Sequence, residues 1–167
     1  MRKMLLLLIL TIFINAQNSN STLACRDIAI LQEVIDNCKN PEQILLKMGD
    51  IASKVEDLEL KEFKKNSNYK DICHLKIVKS QNFGDFVAYS GYHYLQILKN
   101  YPKSSVADDA EYNLIYVITD DTYNFSDSCI EQKKLEAFIK KYPNSNKVKE
   151  AKARVKEIIK LGCGIAD

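Results

Sequence analysis

The sequence predicts an all-α fold, and three observations support this prediction. Glycine occurs five times and proline three times among 167 residues, so residues that break helices are scarce. Apolar residues recur with the spacing of one helical face in most of the longer segments. No segment alternates apolar and polar residues in the manner of a half-buried strand. With 46% hydrophobic residues, a chain of this length can bury a substantial core.

The first sixteen residues have the layout of a secretory signal peptide. Arg2 and Lys3 form a basic start, residues 4–14 are an apolar run, and Ala16 offers a small residue for cleavage. Cleavage after Ala16 would leave 151 residues with 22 basic and 22 acidic side chains, hence no net charge. This balance argues against a nucleic-acid-binding protein, which normally has a basic excess. Because of the signal-peptide layout, we expect an exported protein that is periplasmic or associated with the outer membrane, or alternatively secreted.

A second processing site competes with this one at Cys25. Residues 22–25 read Thr-Leu-Ala-Cys and resemble a bacterial lipobox, in which the cysteine is lipidated and begins the mature chain. The leucine stands one position late, and the polar residues 15–22 separate the motif from the apolar run. Two interpretations stay open, lipidation or a cysteine that opens the first helix. We expect membrane association only if Cys25 is lipidated.

The N-terminal part of the mature chain is expected to contain a polar linker and two helices. Residues 17–25 form the linker, and residues 26–66 form an N-terminal helical pair that caps the fold. The first helix covers residues 26–38. The second starts at Pro41, because proline suits the first position of a helix, and it runs to about residue 64.

Five further helices are expected over residues 71–81, 84–100, 106–119, 129–141 and 146–161. Gly91 would lie inside the second of these helices. Tyr-Pro steps end two of them, because proline disfavours the helical conformation of the residue before it. Capping boxes formed by Ser105 with Asp108 and by Ser128 with Glu131 would begin the third and fourth helices.

An internal repeat with an offset of 41 residues is the strongest feature of the sequence. The first copy reads YLQILKNYPKSSVADDAEYNL over 94–114, and the second reads LEAFIKKYPNSNKVKEAKARV over 135–155. In each copy an apolar helix ends at Tyr-Pro, a serine follows, and an alanine permits close packing of the next helix. The aligned pairs are Tyr101 with Tyr142, Pro102 with Pro143, Ser104 with Ser145, and Ala110 with Ala151.

These residues resemble the tetratricopeptide repeats (TPR) of bacterial envelope proteins, in particular outer-membrane-assembly lipoproteins and the periplasmic Tol–Pal-associated coordinator. The resemblance implies TPR-like helical hairpins over residues 71–162, stacked as a short α-solenoid whose concave face binds other proteins. Pro102 and Pro143 would end the hairpins. The offset of 41 exceeds the usual period of about 34 residues, and Ile115 stands where the family usually has glycine. Because about two repeats are visible, capping helices, disulfides or a partner would be needed for stability.

The five cysteines are interpreted as a consequence of export into an oxidising compartment. Cys129 begins one expected helix and Cys163 follows the next, so an antiparallel helix pair would bring them together in a disulfide. A Cys38–Cys73 bond is the second candidate if Cys25 is lipidated. Otherwise one thiol is left over or pairs between chains. No C-x-x-C motif is present, which argues against a zinc knuckle and a thioredoxin-like redox site.

The sequence offers no constellation of residues for catalysis. His74 follows Cys73, but adjacent residues of a helix point about 100° apart and would not form a catalytic dyad. His93 is interpreted as a packing or surface residue. Motifs for a nucleophile elbow, a zinc protease, a phosphate-binding loop and an EF-hand are all missing. We therefore predict a protein that is not an enzyme and has no cofactor or metal.

Opposite charges lie next to each other in the C-terminal part of the sequence. Residues 104–130 carry a net charge of −6, and residues 131–160 carry +6. These charges either compensate each other between packed helices or form a polarised surface that steers a partner.

The sequence thus predicts an exported scaffold that mediates protein–protein interaction in the bacterial cell envelope. Its partners would be other envelope proteins, and nucleic acid is not expected. The contact surface would be a groove lined by the helices that begin near residues 71, 106 and 146, with Tyr112 and Tyr116 as candidate contacts. The alternative is a secreted, disulfide-stabilised helical effector or small-ligand-binding protein.

Overall fold

Helices make up most of the chain in the computed structural model, which describes residues 20–55, 58–79, 84–117 and 125–163. The signal-peptide-like segment, residues 1–16, lies outside the described residues. Eight helices are described: α1 (Asn20–Ile35), α2 (Pro41–Ala52), α3 (Leu60–Lys65), α4 (Asn68–Asp71), α5 (Tyr92–Asn100), α6 (Ala107–Ile115), α7 (Phe125–Lys141) and α8 (Val148–Lys160). Two strands, β1 (Leu75–Val78) and β2 (Phe86–Tyr89), form the sheet of the described part. The prediction of a mainly helical protein is confirmed.

The first helix begins earlier than expected, and the second helix ends earlier than expected. Helix α1 begins at Asn20, so the expected linker over residues 17–25 is helical from that residue onward. The polar start of α1 is held by tertiary contact, because Thr22 Oγ1 lies 3.0 Å from Tyr69 Oη and Ser21 is buried. Helix α2 ends at Ala52 instead of residue 64, and the short helix α3 follows after a break.

A β-hairpin takes the place of one expected helix and part of another. The helix expected over 71–81 is wrong, since β1 pairs there with β2 in antiparallel register, Leu75 opposite Tyr89. Gly91 does not lie inside a helix but precedes α5 with a φ of +82°, a left-handed conformation that favours glycine. A Cβ at Gly91 would also lie 2.6 Å from Cδ1 of Leu114. This glycine therefore permits both the turn into α5 and the close approach of α6.

Neither expected capping box forms in the structure. The N-cap of α6 is Val106, and no side chain caps its amides. Helix α7 begins at Phe125, before Ser128, and Glu131 pairs with Arg154 instead of closing a box.

Six of the helices pack in chain order as three hairpins. The hairpins are α1–α2, α5–α6 and α7–α8, and contacts of α2 with α5 and of α6 with α7 join them in series. Helices α3 and α4 and the β-hairpin are an insertion between the first two hairpins. This insertion packs on α1 through α4, and within the insertion α3 contacts β2.

Two apolar clusters form the interior, and both receive residues from α6. The first cluster lies among the first two hairpins and the insertion, and includes Ile28, Met48, Tyr69, Tyr94, Ile97 and Ala110. The second lies between α6 and the last hairpin, and includes Tyr112, Leu135, Phe138, Ala151 and Ile158. Helix α6 thus packs with different faces on two cores.

Candidate functional site

The two Tyr-Pro turns of the sequence repeat are built by corresponding backbone hydrogen bonds. The amide of Tyr101 donates to the carbonyl of Ile97 (2.8 Å), and the amide of Tyr142 donates to that of Phe138 (2.9 Å). Three further pairs of bonds from an amide to a carbonyl correspond at the offset of 41. In the first turn the amides of Ser104, Ala107 and Ala110 donate to the carbonyls of Tyr101, Ser104 and Val106. In the second turn the amides of Ser145, Val148 and Ala151 donate to the carbonyls of Tyr142, Ser145 and Lys147. The backbone therefore passes from α5 to α6 and from α7 to α8 through equivalent turns.

The side chains of the repeat motif serve packing more than capping. Ala110 and Ala151 are completely buried, as the close approach of two helices requires. Pro102 and Pro143 are exposed in the turns that join the two helices of one hairpin, α5 to α6 and α7 to α8, so they do not lie at the ends of hairpins as expected. Ser145 accepts a hydrogen bond from the amide of Lys147 at 3.1 Å, whereas the buried hydroxyl of Ser104 has no partner among the described residues. The predicted motif is structural in both copies.

Tyr112 and Tyr116 lie at the junction of α6 with the last hairpin, but only Tyr116 reaches the surface. The side chain of Tyr112 is 3% exposed and packs on the Phe138 ring, with ring centroids 5.4 Å apart. Tyr116 is 46% exposed, and the two tyrosine hydroxyls are 3.1 Å apart. Burial raises the pKa of the Tyr112 phenol. The expectation that Tyr112 contacts a partner is wrong, because this side chain belongs to the core.

Ion pairs connect the last three helices. Arg154 of α8 donates to both carboxylate oxygens of Glu131 on α7, from Nε at 2.8 Å and from Nη2 at 3.0 Å. Such a bidentate pair fixes the relative orientation of the two helices. Lys141 pairs with Glu111, and Tyr142 donates to the same carboxylate at 2.9 Å. Part of the opposed charge in the sequence is thus compensated where α6 meets α7.

Four of the five cysteines are paired in the structure. Cys129 and Cys163 form the expected bond, with sulfur atoms 2.16 Å apart, between the start of α7 and the end of α8. Cys25 is bonded to Cys73, so the Cys38–Cys73 bond expected for a lipidated Cys25 does not form. One thiol, Cys38 in the turn after α1, is left over, as expected for a chain without that lipid. A cysteine in this bond cannot also carry a lipid thioether. The structure therefore describes the form of the chain in which Cys25 is not lipidated.

The two histidines lie side by side where the β-hairpin enters α5. His93 is completely buried; its Nδ1 lies 2.9 Å from the Tyr89 hydroxyl, and its Nε2 has no partner among the described residues. The His74 ring stacks on Tyr92 at 3.7 Å and lies 5.1 Å from the His93 ring. Burial lowers the pKa of His93 to about 3, and it also lowers the pKa of His74. His93 is accordingly a neutral packing residue at neutral pH.

A polar cluster that the sequence did not reveal joins the first two hairpins. Tyr94 on α5 donates to Oδ1 of Asp50 on α2 at 2.8 Å, and Asn113 on α6 donates to the same oxygen at 3.0 Å. Gly49 lies beneath the Tyr94 ring, where a Cβ would be 2.8 Å from Cδ1. The one available signal is a glycine inside an amphipathic helix, which often marks close approach of a neighbour.

Exposed large apolar side chains are concentrated on the first helix of each hairpin. Five of the eight in the described chain lie there: Ile30 and Val34 on α1, Tyr92 and Leu95 on α5, and Ile130 on α7. Side chains three or four residues apart share one face of a helix, so α1 and α5 each present an apolar pair. The other three, Tyr116, Ile159 and Leu161, lie at or beyond the C-terminal ends of α6 and α8.

The described residues contain neither a cluster of metal ligands nor a membrane-spanning helix. They contain no group of three or more His, Cys, Asp and Glu side chains that could hold a metal ion. None of the helices in these residues is long and apolar enough to cross a membrane.

Comparison with known proteins gives no relative from which a function could be transferred. The chain matches no protein-family model, no curated protein and no solved structure.

Proposed function

We propose that this protein is an exported, non-enzymatic TPR-like scaffold that mediates protein–protein contact in the bacterial cell envelope. The observation that carries the proposal is the equivalence of the two Tyr-Pro turns within a series of three helical hairpins. Hairpins that pack on their neighbours in chain order are the construction of repeat proteins, which present extended binding surfaces. The signal-peptide-like start and the paired cysteines support export.

The proposed contact surface consists of the exposed apolar side chains of α1 and α5, here called the first-helix surface: Ile30, Val34, Tyr92 and Leu95. It replaces the groove expected at the helices beginning near residues 71, 106 and 146, because residues 75–78 form a strand and Tyr112 is buried. The first helices of successive hairpins line one face of a hairpin array, so these side chains would lie on a common groove. Each is 40–49% exposed. Transfer of the exposed part of one such side chain from water to an apolar partner contributes about 1 kcal/mol. The partner is therefore expected to present an apolar helix or segment.

Cross-linking in the native envelope, followed by identification of the cross-linked proteins, tests this proposal. Leu95→Asp is expected to abolish the cross-link to the partner, because it places a charge in the apolar groove. Asn100→Asp is the matched control, since it introduces the same side chain and the same change of charge at an exposed position of the same helix, off the face that Tyr92 and Leu95 share. Retention of the same partner by Leu95→Asp would refute the assigned surface. Failure to recover any protein partner, with a small ligand retained by the pure protein, would favour a ligand-binding function instead.

A further inference from the structure

The outer face of α8 carries a row of lysines, here called the lysine stripe: Lys149, Lys152, Lys156 and Lys160. The spacings of three, four and four residues place these side chains on one face of the helix. All four are exposed, and the opposite face holds the buried Ala151 and Ile158. The stripe is thus a solvent-facing array of positive charge along about three helical turns.

The two carboxylates of α8 are outnumbered by its five basic side chains, which are the four lysines of the stripe and Arg154. Arg154 takes the described ion pairs of α8, with Glu131 on α7 and with Glu157 one turn further along. Glu150 acts on the buried Tyr112, where it helps to raise the pKa of the phenol. No ion pair within the described residues involves a lysine of the stripe.

Two aliphatic side chains lie at the C-terminal end of the stripe. Ile159 is 44% exposed, and Leu161 is 60% exposed, the largest value among the exposed large apolar residues of the described chain. Lysines next to exposed aliphatic side chains are the pattern of an interfacial helix, in which ammonium groups meet lipid phosphates and apolar groups enter the headgroup boundary. A nucleic-acid duplex would meet the lysines but would leave both aliphatic side chains in water. The pattern therefore favours a lipid surface.

We propose that the lysine stripe, together with Ile159 and Leu161, docks this protein on an anionic phospholipid membrane. The attraction is local, because the chain expected after cleavage has no net charge. The lysine stripe shares no residue with the first-helix surface on α1 and α5, so the proposal does not depend on that surface. It also requires no lipid on Cys25, which is bonded to Cys73 in the structure.

Co-sedimentation of the full mature chain with vesicles tests the proposal. We expect binding to vesicles of phosphatidylcholine mixed with phosphatidylglycerol, weak binding to pure phosphatidylcholine, and a loss of affinity as salt is raised from about 0.05 to about 0.5 M. Lys152→Gln/Lys156→Gln should weaken binding by about tenfold or more, since each lysine near an anionic surface contributes roughly fivefold. Lys61→Gln/Lys64→Gln makes the same charge change on α3 and should leave binding unchanged. Leu161→Ser should lower the affinity for the anionic vesicles at both salt concentrations.

Three results would overturn the proposal. The first is equal affinity for the two kinds of vesicle, which would exclude recognition of anionic lipid. The second is an equal loss in the α3 control variant, which would show that total charge and not the stripe controls binding. The third is binding to duplex DNA but not to vesicles, which would assign the stripe to nucleic acid.

Discussion

Removal of the Cys129–Cys163 disulfide is expected to lower the free energy of unfolding by about 4 kcal/mol. The bond joins cysteines separated by 34 positions in the sequence. In the chain-entropy account, a closed loop of this length restricts the unfolded state by about 4 kcal/mol. The bond joins the start of α7 to the end of α8, and this hairpin contacts the rest of the described chain mainly through α6. Its loss should therefore destabilise the terminal hairpin first.

Urea unfolding followed by circular dichroism measures this effect. Cys129→Ala/Cys163→Ala is compared with the parent chain under non-reducing conditions, with extrapolation of the free energy of unfolding to water. Cys38→Ala is the control, because this thiol is unpaired in the structure and its loss opens no loop. An unchanged free energy in the double variant, or an equally large decrease in Cys38→Ala, would refute the reasoning.

Three further predictions concern packing, backbone conformation and pH. Ala151→Leu should destabilise the chain by about 1–3 kcal/mol, because this alanine is completely buried. Ala153→Leu on the exposed face is the control and should change stability by less than about 0.5 kcal/mol. Equal melting temperatures for both variants would contradict the assigned packing. Gly91→Ala should cost about 1–2 kcal/mol in urea unfolding, because its φ is +82°, and an unchanged midpoint would argue against that conformation. Burial lowers the pKa of His93 to about 3, so below pH 6.5 the unfolded chain takes up a proton that the folded chain does not. The free energy of unfolding should therefore fall by about 2 kcal/mol between pH 6.5 and 5, and His93→Gln should reduce this dependence on pH. A pH dependence that His93→Gln leaves unaltered would count against the assignment.

The features that the sequence predicts well depend on local signals. The Tyr-Pro turns are determined by residues within a few positions of each other, so the repeat at an offset of 41 reports the turn geometry directly. The Cys129–Cys163 bond follows from the order of two antiparallel helices, whose neighbouring ends are fixed once the helices are placed.

The features that the sequence predicts poorly depend on tertiary contacts. The segments Leu-Lys-Ile-Val and Phe-Val-Ala-Tyr of the β-hairpin are four residues long, and mainly apolar segments of this length fit a helix or a strand equally well. The start of α1 has no apolar periodicity, and it is stabilised by the contact of Thr22 with Tyr69, 47 positions away. The Cys25–Cys73 bond joins these same regions, so its prediction requires the fold of the insertion.

The candidate site shows the same limit for side chains of one type. Tyr112 and Tyr116 are four residues apart and have the same chemistry, but one is in the core and the other is half exposed. Their difference is set by the position of Phe138 on α7, against which Tyr112 packs. Their spacing of four residues fits one helix face, and only the packing of the last hairpin distinguishes the two side chains.

The sharing of α6 between two cores has a consequence for the response of this chain to force. The Cys25–Cys73 loop lies within the first cluster, and the Cys129–Cys163 loop belongs to the second. Between the two loops, α6 and α7 are joined by packing around Tyr112 and by non-covalent contacts of side chains.

A chain pulled at Cys25 and Cys163 would thus yield in the segment between Cys73 and Cys129. The two closed loops cannot lengthen while their disulfides are intact, so the gain in contour length is limited to the intervening backbone. A reducing agent would release both loops and add their residues to the extension. The redox state of the surroundings therefore sets how far this protein can be stretched.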